Sequence, residues 1–141
     1  MGARLSRQEA KSIKEKLLSS IGVSYSMITN SVYVINGREV NVKITSKRSS
    51  GRYWFNIQRR NVNSYIWICY IPETRVVEAF YWIPAEEMWS YVRRRAYKDR
   101  TWERAGHPIA NFEIDTKHDL YIGGPKTRIS IRQFRGQILA A

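Results

Sequence analysis

SVYVINGREVNVKITS, residues 31–46, is a hairpin spelled out in residues. Asn36-Gly37 sits between two runs of β-branched and aromatic residues. A two-residue type I′ turn needs φ > 0 at both central positions, and Asn-Gly supplies it. The flanking strands are expected at about 31–35 and 38–46. Side chains alternate across a strand. Val40, Val42 and Ile44 therefore point one way, and Glu39, Asn41, Lys43 and Thr45 the other. One strand thus carries an apolar face for a core and a polar face that holds a lysine.

Working outward, SKRSSGR (46–52) is a polar turn with three cations, and YWFNIQ (53–58) is a strand. Strands 38–46 and 53–58 are expected to be neighbours. RRNVNS (59–64) is a basic connection. YIWICYI (65–71) is apolar on both faces, as a strand covered on both sides must be. Pro72-Glu73-Thr74 turns the chain into the strand RVVEAFYWI, 75–83. Upstream, residues 6–20 read as a helix. Ser6 and Glu9 have capping-box spacing, Ala10, Ile13, Leu17 and Leu18 form the apolar stripe, and Gly22 ends it. Downstream, PAEEMWSYVRRRAYK (84–98) opens on Pro84 and acids and closes on arginines, which suits the helix dipole. Residues 111–115 and 119–124 are short strands; 127–139 is either a strand or a closing amphipathic helix. The expectation is an α/β domain spanning 1–141, with a mixed central sheet flanked by helices.

Composition sets the function classes. The chain has 141 residues, 43% hydrophobic and 13% aromatic, enough for a real core. A single cysteine, Cys69, excludes an internal disulfide and a multi-thiolate zinc site. With only His107 and His118, a multi-histidine metal site is not expected. Cys69 lies inside the most apolar strand, where a thiol is inert. A Ser or Cys nucleophile with His107, His118 and Asp115 has no motif behind it, and GGPK (123–126) lacks phosphate-loop spacing. No apolar run is long enough for a membrane span. The N-terminal MGARLSRQEAKSIKEK is charged rather than leader-like, although Met-Gly with Ser6 has myristoylation spacing. An intracellular, cytoplasmic chain is expected.

Lys+Arg is 24 against 12 Asp+Glu, a net charge of +12. Such a domain seeks an anionic partner, and nucleic acid is favoured over a membrane because no basic amphipathic helix dominates. Arg7 and Lys11 on the first helix, Lys47, Arg48 and Arg52 on the polar turn, and Arg59 and Arg60 on the basic connection are the candidate phosphate contacts. Arg93, Arg94 and Arg95 are read as a helix end. Among the five tryptophans, Trp54, Trp67, Trp82 and Trp89 occupy positions that a core fills; Trp102, in KDRTWER, is the candidate base-stacking residue.

Helix, hairpin, a V-x-V-K strand, a polar turn, YWFNI, a buried YIWICYIPE strand and a strand running into IPAEE follow one another here. That order resembles the PD-(D/E)XK, or restriction-endonuclease-like, superfamily over about residues 7–95, and within it small intron-associated endonucleases. The resemblance implies a restriction-endonuclease-like core, double-stranded DNA as partner, Mg²⁺-dependent phosphodiester hydrolysis if the site is active, and a homodimer or homotetramer. Lys43 matches the motif lysine. The two acidic positions fall on Asn41 and near Ser31, neither a carboxylate, and Mg²⁺ prefers carboxylates. Three explanations stay open: a degenerate domain that only binds, ligands relocated to Glu39, Glu9 or Glu15, or acids removed by engineering. The alternative class is a non-catalytic module for RNA or single-stranded DNA that uses arginine and aromatic contacts.

Overall fold

The computed structural model describes residues 5–58, 61–95, 109–124 and 127–136. In chain order its elements are α1 (Arg7–Ser20), β1 (Tyr25–Met27), β2 (Val32–Ile35), β3 (Arg38–Ser46), β4 (Tyr53–Gln58), β5 (Ser64–Ile71), β6 (Val76–Pro84), α2 (Ala85–Arg95), β7 (Ile109–Asp115), β8 (Leu120–Gly124) and β9 (Thr127–Ser130). A single 3-10 turn, Arg132–Phe134, follows. The architecture is α/β, with one mixed sheet, one antiparallel sheet and two helices.

Local chemistry accounts for the element ends. Ser6 accepts from the Glu9 amide while the Glu9 carboxylate reaches back to the Ser6 amide, so the capping box closes as its spacing requires. Asn36 and Gly37 adopt φ of 51° and 82°, the left-handed pair that a type I′ turn demands.

The first sheet has the order β1-β2-β3-β5-β6, antiparallel throughout except for the parallel β3–β5 pair. Both edges of β3 are taken, by β2 and β5. A parallel pair needs a crossover connection, and residues 47–63 supply it. β4 is therefore not the neighbour of β3. It leaves the first sheet and pairs with β7 in a second, antiparallel sheet of order β4-β7-β8-β9.

Two apolar clusters glue three layers together. Leu17 and Leu18 of α1 pack on Tyr33, Ile35, Val40, Val42, Ile66, Ile68 and Phe80, one face of the first sheet. Its other face meets the second sheet through Tyr65, Trp67, Cys69, Tyr81, Tyr53, Phe55, Phe112, Ile114 and Tyr121, with Met88, Trp89 and Tyr91 of α2 closing the cluster. β5 serves both, so its residues 65–70 are all buried, as the apolar run predicts. Full burial of each such side chain contributes about 1.5–3 kcal/mol.

Other boundaries differ from expectation. Pro84 ends β6 rather than opening the helix; β6 is an edge of the sheet, where a missing N–H is tolerated. Residues 127–136 are a short strand and a 3-10 turn, and the chain then runs along β6 through a bridge between Tyr81 and Arg135. Trp67 and Trp89 are core and Trp82 is half-buried, but Trp54 is 41% exposed. The reason is period two: Trp54 shares its face with Asn56, while Tyr53 and Phe55 take the inner face. Arg59, Arg60, Trp102 and His107 lie outside the described residues.

Candidate functional site

The polar face of β3 turns toward the second sheet. Asn41 and Lys43 are paired in register with Tyr65 and Trp67, which belong to the inter-sheet cluster. Asn41 is 1% exposed, and neither Oδ1 nor Nδ2 has a hydrogen-bond partner. The Lys43 ammonium donates to the Asn56 carbonyl of β4 at 2.6 Å. Lysine and asparagine therefore do share one face, as the alternation predicts.

The remaining expected ligands do not join them. Val32, not Ser31, is the register partner of Asn41; the Ser31 carbonyl accepts from the Val42 amide. Glu39 is exposed near the hairpin turn, where its register partner is Val34. Glu9 serves the capping box, and Glu15 belongs to α1, whose core contacts are on the opposite face of the sheet. A neutral amide beside an ammonium is a poor donor set for Mg²⁺, which takes carboxylate oxygens. Among the described residues, no group of three or more His, Cys, Asp or Glu is placed to hold a metal ion.

A different constellation forms where β3 ends. The ladder between β5 and β6 shifts register between Cys69, paired with Ala79, and Tyr70, paired with Val77. Glu78 is the residue left over, and such a bulge re-aims a side chain. Its carboxylate accepts from Thr116 Oγ1 at 2.6 Å, Tyr53 Oη at 3.0 Å and Lys47 Nζ at 3.1 Å. Burial pushes the Glu78 carboxyl up, but these three donors outweigh it and hold the group below its ordinary range. The same carboxylate adds to burial in driving the Tyr53 hydroxyl far above the usual tyrosine range.

Around Glu78 opens a cleft of about 570 Å³ lined by Lys47, Ser50, Gly51, Arg52, Asp115, Thr116, Lys117 and Arg135. The β3–β4 turn folds over it because the Gly51 amide donates to the Arg48 carbonyl and the Arg48 amide to that of Arg52; Gly51 takes φ of 84°. On the other wall, Asp115 accepts from the Lys117 and His118 amides and its Oδ2 lies 2.9 Å from His118 Nδ1. These bonds outweigh its burial and hold its carboxyl low. Arg135 reaches Asp119 at 2.8 Å and the Thr116 carbonyl at 3.2 Å, and Tyr81 donates to the same Asp119 oxygen.

The lining holds four cations against two carboxylates, and both carboxylates already have partners. Among the described residues, Arg48 and Lys117 form no ion pair, and Arg52 stands 3.7 Å from Glu113, a surface pair of little strength. Lys47 and Arg135 are held by Glu78 and Asp119, so Arg48, Lys117 and Arg52 are the cations left over at this end. Arg7 and Lys11 are exposed on the first turns of α1, which packs on the other face of the first sheet. Lys14 of α1 bonds to the Asn30 carbonyl, beside the Ser31 carbonyl that takes the Val42 amide, while the end of α1 lies near the hairpin turn. α1 thus runs antiparallel to β3, with its exposed N-terminal cations toward Lys47.

Lys47, Arg48 and Arg52 were readable as a basic turn. Glu78, Thr116, Lys117 and Arg135 were not. The one signal was a lone carboxylate in an otherwise apolar strand; its partners come from segments 25, 31 and 38 residues away. No protein family, curated protein or solved structure matches the chain.

Proposed function

We propose that this protein binds nucleic acid, and that the cleft at the end of β3, with the turn 47–52 over it, contacts the phosphates. The observation that carries this is the set of cations left over at the cleft: Lys117 and the neighbouring Arg48 form no ion pair among the described residues and Arg52 only a weak one, in a chain of net charge +12. Phosphate contacts of this kind give affinity with little sequence choice and release counterions. The chain-order resemblance to restriction-endonuclease-like proteins supports a nucleic-acid partner. It does not extend the proposal to strand cleavage, since the Asn41–Lys43 pair lacks carboxylate ligands. No helix among the described residues is long and apolar enough to cross a membrane.

The test is fluorescence anisotropy of labelled oligonucleotides across a salt series. Arg48→Ala with Arg52→Ala should weaken binding and flatten the plot of log K against log salt by about one to two units, since each lost phosphate contact removes about 0.7–0.9. Unchanged affinity and slope would remove this turn from the interface.

A further inference from the structure

The outer face of the second sheet carries a row that register places side by side: Trp54 on β4, Glu113 on β7, Ile122 on β8 and Arg128 on β9. A second pair, Asn56 and Asn111, stands beside it. Trp54 is 41% exposed, and Asn111 and Arg128 are exposed too; Asn56 and Glu113 are half-buried, and Ile122 is buried between its neighbours in the row. The apolar clusters that hold the helices use other faces. The core contacts of α1 are with the first sheet, and Met88, Trp89 and Tyr91 of α2 point into the inter-sheet cluster.

Trp54 is the one aromatic among the exposed large apolar side chains of the described residues. Its neighbours explain what suits it. Arg52, two residues along the strand at about 7 Å, lies on the rim of the phosphate cleft. Arg128 is three strands away, about 14 Å at ordinary strand spacing. Amides from Asn56 and Asn111 offer donors and acceptors between them. A flat π surface with cations at both ends matches an unpaired base flanked by phosphates. Bases inside a duplex are already stacked on each other and cannot lie on Trp54.

We propose that the nucleic acid is single-stranded and lies across this outer face, one base stacked on Trp54 and the backbone running between Arg52 and Arg128. This rests on the nucleic-acid reading above and specifies its ligand.

The experiment uses the full chain with three labelled probes of about 15 nucleotides, within the usual site-size range: oligo(dT), oligo(U) and a duplex of equal length. The single strands should bind more tightly than the duplex. Trp54→Ala should lower single-strand affinity by about tenfold to a hundredfold while leaving the salt slope unchanged, because stacking and phosphate contact are separate terms. Trp54→Phe should restore most of the loss. Trp54→Ala binding like the parent overturns the stacking site, and a duplex that binds as tightly as the single strands overturns the strand preference. In either case weakening by the Arg48/Arg52 double variant leaves the nucleic-acid reading standing. A parent that binds none of the probes overturns both.

Discussion

Lys14 sits on the inner stripe of α1 with Leu17 and Leu18, almost sealed from water, its ammonium bonded to the Asn30 carbonyl. Burial lowers its pKa from 10.5 to about 8, and the charge of Lys43 adds to the shift. Between those two pH values the folded chain binds fewer protons than the unfolded one, so stability rises with pH there. The gain between pH 8 and 10 is on the order of 2 kcal/mol from this residue. Tyrosines act in the opposite sense higher up. Burial pushes Tyr33 up to about 12 and Tyr53 and Tyr81 further, so the fold retains protons that the unfolded chain releases above pH 10, and stability turns down. Cys69 opposes this from about pH 9, where the unfolded thiol loses the proton that the buried one keeps. Tm should therefore rise from pH 8 to a maximum near 9, and Lys14→Met should flatten the rise. A parent Tm that does not move between pH 8 and 9 would contradict the buried ammonium. At this scale the sequence is half legible. Alternation assigned Asn41 and Lys43 to one face, and the apolar run 65–71 gave Cys69 an inert environment, where burial drives its thiol well up. Trp54 was expected in the core on residue type, whereas the alternation of its strand sets it on the outer face with Asn56.

At the level of elements, the C-terminal strip along β6 shows a close approach that no periodicity announces. The Gly136 amide donates to the Phe80 carbonyl, and a Cβ at 136 would lie 2.0 Å from the Phe80 ring. Phe80 is itself packed beneath α1, so the ring has little room to yield. Gly136→Ala should cost about 1–3 kcal/mol through overpacking, readable as a fall in urea midpoint with unchanged slope. A midpoint equal to that of the parent would mean the strip does not dock on β6. Helix and hairpin ends were legible because each rests on local chemistry: Ser6 with Glu9, Asn36 with Gly37. Strand partnership was not. YWFNIQ reads the same whether it lies beside β3 or crosses to another sheet, and the choice is made by β5, which claims the edge of β3 from further down the chain.

For the whole molecule, +12 is the fact that most constrains function, because it works against compactness unless an anion is bound. For the proposed nucleic-acid partner, composition supports the sign of its charge and says nothing of where it would sit. The site exists only once the β3–β4 turn, the bulge at Glu78, the β7–β8 turn and Arg135 meet at one end of the sheets. That end, continued onto the face of Trp54, is the central claim. Mapping backbone amide shifts by NMR, with the labelled protein titrated by single-stranded oligonucleotide at low salt, tests it most directly. The account predicts perturbed amides grouped at residues 47–54, 111–118 and 127–130. Perturbations centred instead on α1 and β1, or none at all, would contradict it.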